Sequence, residues 1–143
     1  MTQPSMKSLS TLVTLRAREV DRLQADIAAK TAVRQRYLNN LQRMEGLCAA
    51  GGASGALPLA LSLNCGNYKQ SVMEMADAHR VELGLHEADM AVTQRALAAA
   101  WCKQEVLGKV LEQQERRVLS AQEKTERKRQ DELATQMWHR EQQ

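Results

Sequence analysis

The residues with chemistry to offer are few, and their spacing limits what they can do. His79 and His86 stand seven positions apart. On a helix that is two turns along one face, too far for both rings to bind one zinc ion, so histidines in a damp helical seam are the simpler expectation. Cys48, Cys65 and Cys102 form no CxxC pair, and an odd count fits free thiols in a reducing cytoplasm better than a disulfide framework. Cys48 and Cys65 bracket a glycine-rich stretch and could approach each other, which leaves one bridge open as the lesser alternative. No glycine-rich phosphate loop and no GxSxG elbow occurs. The expectation is a chain without catalysis, cofactor or metal.

The closing stretch, "ERKRQDELATQMWHREQQ" from Glu126 to Gln143, joins a basic cluster to a tryptophan. It reads as a nucleic-acid arm or as a polar helix that docks on a protein. Phosphate binding needs positive charge without opposition, because affinity grows with each neutralised phosphate. Residues 112–143 hold seven Lys/Arg and seven Asp/Glu, so the tail opposes its own cations. Glu123 with Arg127 and Glu126 with Arg129 have the spacing of same-face helix pairs. The whole chain carries only +3. A solvated docking helix is expected, with no nucleic-acid partner. Trp138 is then either an anchor in a partner's groove or an exposure without consequence.

The composition does not describe a compact domain. The chain has 143 residues, no phenylalanine and only 3% aromatics, against 26% charged residues. Large cores lean on aromatic area; the apolar residues here are mainly Ala, Leu, Val and Met, which suit long helices with a thin interface. The start is Ser- and Arg-rich and free of acids until Glu19, in the manner of an organelle presequence. Against that, the apolar spacing runs on through Val20, Leu23 and Ile27. No run approaches the roughly 20 apolar residues that span a bilayer, so a soluble protein is expected.

Two seams can be read at alternating steps of four and three. The first is Leu9, Val13, Arg16, Val20, Leu23, Ile27, Lys30, Arg34, Tyr37, Leu41, Met44 and Cys48. A 3.5-residue repeat keeps one face turned to a partner helix, and Lys or Arg stems can cover such a face while their charges reach water. Ser5 or Ser8 is the candidate cap. The second runs Val72, Ala76, His79, Leu83, His86, Met90, Thr93, Leu97, Ala100, Gln104, Leu107, Leu111, Gln114, Val118 and Ala121. Beside it lies another apolar line, Val81, Leu85, Ala88, Val92, Ala99, Cys102 and Val106. The apolar face is therefore expected to be widest between about 81 and 111, with Trp101 packed against it.

Between the seams, "GLCAAGGASGALPLALSLNCGN" carries five glycines and Pro58. Both residue types oppose helix continuation. The expected fold is all-α: a long two-helix antiparallel coiled-coil hairpin with a C-terminal helical overhang, one rod over residues 1–143. Its parts are a helix over about 6–46, a connector over about 47–66 and a helix over about 67–140. If residue 45 faces about residue 68, Leu9 faces about residue 104, and the second helix outruns the first from near residue 110. A lone polar helix is marginal in water, so residues 112–143 are expected to be partly disordered until they dock.

With "AREVDRLQADIAAK" early, "NYKQSVMEMADAH" past the break and "ERKRQDELATQMWHR" at the end, the chain resembles the flagellar export protein FliJ family. The ending is similar to that family's in Lys128, Arg129, Asp131, Glu132, Ala134 and Arg140. The resemblance implies a long helical hairpin similar to a rotary-ATPase stalk, without catalysis. It implies docking in the ring of the export ATPase FliI and contact with the export-gate protein FlhA and export chaperones. That work belongs at the cytoplasmic face of the inner membrane, with peripheral association through the export apparatus.

On that resemblance the ATPase-docking residues are Arg127, Lys128, Arg129, Asp131, Glu132, Trp138 and Arg140. The gate-contact residues are Tyr68, Val72, Met75 and Ala78. Ser71 and Glu82 depart from the family pattern there, where a large apolar residue and a histidine are expected. Two rivals stand beside this reading: a generic coiled-coil scaffold, and the equivalent stalk protein of a virulence type III secretion system.

Overall fold

The computed structural model describes residues 3–50 and 58–142. They form two helices, α1 (Gln3–Ala50) and α2 (Leu59–Glu141), and no strand occurs among the described residues. The two helices pack against each other as an antiparallel hairpin, the all-α fold the seams predict.

The connector is shorter than expected. Residues 47–50 finish α1 and residues 59–66 open α2, while 51–57 lie outside the described residues. Pro58 stops the chain less than it starts a helix. Its carbonyl accepts the amides of Leu61 at 2.9 Å and Ser62 at 3.1 Å, and a proline costs nothing at a helix start, where its missing N–H would have had no partner. Gly46 and Gly66 sit inside helices because each costs only about 1 kcal/mol against alanine. Ser5 lies inside the first turn of α1 and Ser8 beyond it, so neither stands at the cap position before the helix.

The chain divides into two compact units, Met1–Val20 with Ala100–Gln143, and Asp21–Ala99. In the unit from Asp21 to Ala99, Arg34 meets Glu87 at 2.6 Å and Glu45 meets Arg80 at 2.9 Å, so rising numbers on α1 meet falling numbers on α2. The Arg34–Glu87 pair sets residue 45 across from about residue 76, roughly two turns later than the expected 68. The buried side chains of this unit are Leu41, Val72, Ala76, Met90 and Thr93.

In the other unit Val20 and Ala100 are buried and Val13 lies beside Gly108 and Glu112. The α2 seam stays half-buried to Val118, and every described residue from Leu119 onward is exposed. The overhang thus begins about eight residues later than expected, and Ala121 falls outside the seam. It is helical through to Glu141, a correction to the expected loss of order in residues 112–143. Glu, Gln, Lys, Arg, Leu and Ala fill this stretch, all strong helix formers, and Glu112 pairs with Arg116 one turn on.

The second apolar line is not packed by α1. Val81, Leu85, Val92 and Val106 are all at least 60% exposed, and Trp101 is 56% exposed where packing was expected. A single partner helix covers one heptad seam and no more. No helix among the described residues is long and apolar enough to cross a membrane.

Candidate docking site

Two sets of polar residues stand out, one between the helices and one on the overhang. Between the helices, Lys30 projects from α1 across the seam. Its Nζ donates to Thr93 Oγ1 at 2.8 Å and lies 2.7 Å from Asp89 and 3.4 Å from Asp26. The hydrogen bond to Asp89 raises the Lys30 pKa, and the Asp89 carboxyl is lowered in turn by Lys30. His86 Nε2 donates to the Lys30 carbonyl at 2.8 Å. Tyr37 lies between the two histidines, its ring 4.7 Å from His79 and 5.8 Å from His86. Arg80, its pKa raised by Glu45 and then Asp77, bridges both carboxylates.

What this cluster can do is fix alignment. The Lys30 ammonium and the His86 ring each have partners in one register only, because a slide of the helices separates them. The hydrogen bond to Asp89 holds the proton on Lys30, which keeps the amine from acting as a nucleophile. The histidines come together around a tyrosine ring, and no group of three metal-ligating side chains occurs among the described residues. Cys48, Cys65 and Cys102 are free thiols.

On the overhang, Arg127, Lys128, Arg129, Asp131, Glu132 and Arg140 are all exposed. No ion pair joins Glu123 to Arg127 or Glu126 to Arg129 among the described residues, although their spacing permits both. The charged side chains of the tail are therefore available to a partner. Trp138 is 57% exposed, and its ring meets the His139 ring edge to face at 5.4 Å. Leu133 and Met137, one turn apart, are exposed on the same stretch at 53% and 64%. Their i,i+4 spacing from each other was a signal legible in the sequence.

A family model described as Flagellar FliJ protein matches residues 6–143. The chain belongs to the FliJ family. No curated protein and no solved structure matches it. Membership makes the chain a component of flagellar type III protein export. The generic scaffold therefore gives way to an export component.

Of the gate-contact residues expected from the FliJ resemblance, three reach the surface. Tyr68 is 54% and Met75 59% exposed, and Ala78 is exposed with them. Val72 is not available, since it is only 7% exposed on the seam that faces α1. A residue that serves the seam cannot also meet a partner there. Ser71, one of the departures from the family pattern, hydrogen-bonds back to the Asn67 carbonyl at 3.0 Å.

Proposed function

We propose that this chain is a non-catalytic, stalk-like component of flagellar export that docks in the ring of the export ATPase FliI through its overhanging helix. In this reading it couples the ring to the gate protein FlhA, helps escort chaperones and their substrates, and works in the cytoplasm against the inner membrane. FliJ family membership supports the system. The observation that carries the docking is the stretch of α2 beyond Val118, a helix with both charge signs exposed and Leu133, Met137 and Trp138 uncovered. A helix of this kind has its helical form already, so docking costs little ordering entropy, and affinity rests on a few apolar anchors.

Gate contact is proposed for Tyr68, Met75 and Ala78, with Val72 withdrawn because it is buried. The test of the docking is a chain ending at Ser120, measured for binding to the export ATPase and for stimulation of ATP hydrolysis. The seam ends at Val118, so the shortened hairpin keeps its packed residues. The expected result is loss of binding with the remaining helix intact. Full binding and stimulation by the shortened chain would move the docking element to α1 or to the face around Trp101.

A further inference from the structure

The apolar line beside the α2 seam has no cover in this chain. Val81, Leu85, Ala88 and Val92 lie on it in the unit from Asp21 to Ala99, with Leu85 69% exposed. In the other unit the same four-three spacing on α2 continues through Cys102 and Val106, where Leu12 and Arg16 of α1 border a shallow, mostly apolar groove. Six heptad-spaced apolar residues on one helix are a second coiled-coil seam.

The line is complementary to itself when reversed. Set α2 antiparallel against α2 of another copy so that Leu85 meets Cys102. Val81 then meets Val106 and Ala88 meets Ala99, two small residues that let the helices approach. At the flanking positions Glu82 meets Lys103, and the two-fold symmetry of such a pair makes that contact twice. Lys103 has no ion-pair partner in its own chain among the described residues. Glu82 has only His79 at 3.6 Å, which is a charge pair only when the ring is protonated. Further out, Met75 meets Val110, both partly exposed. The inner flanking pairs, Asp89 with Ala96 and Gly84 with Glu105, bring no like charges together. Arg95 interrupts the line near its centre, where its stem can lie along Val92 and carry its charge outward.

We propose that two copies of this chain associate antiparallel through the uncovered face of α2, with Leu85 opposite Cys102 and Glu82 opposite Lys103. A membrane surface would want cations on both flanks, and a uniformly charged partner helix would repel one of them. A second copy satisfies both signs together. The association belongs to the free protein and is independent of how the tail docks.

Sedimentation equilibrium of the full chain over a micromolar range tests it, with circular dichroism to follow helix content. A monomer–dimer equilibrium is expected. Leu85→Glu should shift it to monomer without loss of helix, because Leu85 touches solvent in the single chain. Lys103→Glu and Glu82→Lys should each weaken the dimer by about tenfold, since each sets like charges together twice, and the two combined should restore it. A second measurement uses no charge change in the face. With Cys48 and Cys65 replaced by serine, Leu85→Cys should crosslink through a short bis-maleimide to Cys102 of another chain. A chain that stays monomeric throughout, a dimer indifferent to Leu85→Glu, or a double exchange that fails to restore pairing would each overturn the proposal.

Discussion

Asp89 is a residue whose surroundings change its chemistry. Lys30 holds its carboxyl below the ordinary 3.8, and a carboxylate whose pKa falls on folding adds stability above its unfolded value. That contribution is lost as pH drops through the depressed value. Lys30 works at the other end: raised above 10.5, it contributes below that value and its share is lost only as pH climbs past the raised one. Between the two limits the pair is fully charged, so it adds no slope near neutrality. Asp89→Asn should lower the thermal midpoint modestly at neutral pH and reduce the fall seen on acidification, as followed by circular dichroism. An acid fall identical to that of the unaltered chain would show that the pair is too exposed to matter. The partners of Lys30 were not legible in the sequence. Its place on the seam was, because periodicity fixes which face a residue takes, but Thr93, Asp89 and the His86 ring are chosen by register.

Register is the property of these elements that the sequence hides. A heptad seam slid by seven residues superposes on itself, so the apolar pattern alone fits several alignments about equally well. All twelve α1 seam positions are buried or half-buried, and so are those on α2 from Val72 to Val118. The helices nevertheless meet about two turns from where the expected connector over residues 47–66 would have set them. Polar pairs such as Arg34–Glu87 and Lys30–Asp89 select among the alignments. Helix ends were misjudged for a related reason: the penalties of isolated glycines are small against helices of 48 and 83 residues. The same smallness makes a prediction. A Cβ built on Gly84 meets nothing within 4 Å, and the residue is exposed within α2. Gly84→Ala should therefore stabilise the fold by about 0.5–1 kcal/mol through helix propensity and reduced freedom of the unfolded chain. An unchanged or lowered thermal midpoint would mean that this part of α2 needs the glycine for something other than space.

For the molecule as a whole, the question is which exposed surface acts first in export, and the tail is the surface whose loss separates docking from folding. Trp138 lies on the exposed stretch of α2 beyond the seam, its ring against His139, and Leu133 and Met137 are exposed on the same stretch. Removing it cannot open a cavity, so a change in binding reports on the partner and not on the fold. Trp138→Ala should weaken binding to the export ATPase by roughly 1–3 kcal/mol, the range of an aromatic anchor, with helix content unchanged. Replacing Asp131 and Glu132 together by lysine should weaken it also, but more at low salt than at high, because exposed charges act through a screened field. That double replacement has a second use. It leaves residues 112–143 with nine Lys/Arg against five Asp/Glu and should create duplex-DNA binding that the native chain is expected to lack at near-physiological salt. Should the native chain already bind DNA tightly with a steep salt dependence, Arg127, Lys128 and Arg129 are phosphate contacts. Should Trp138→Ala and the charge reversal both leave ATPase binding at its native strength, the tail is a solvated helix and docking lies elsewhere on α1 or α2.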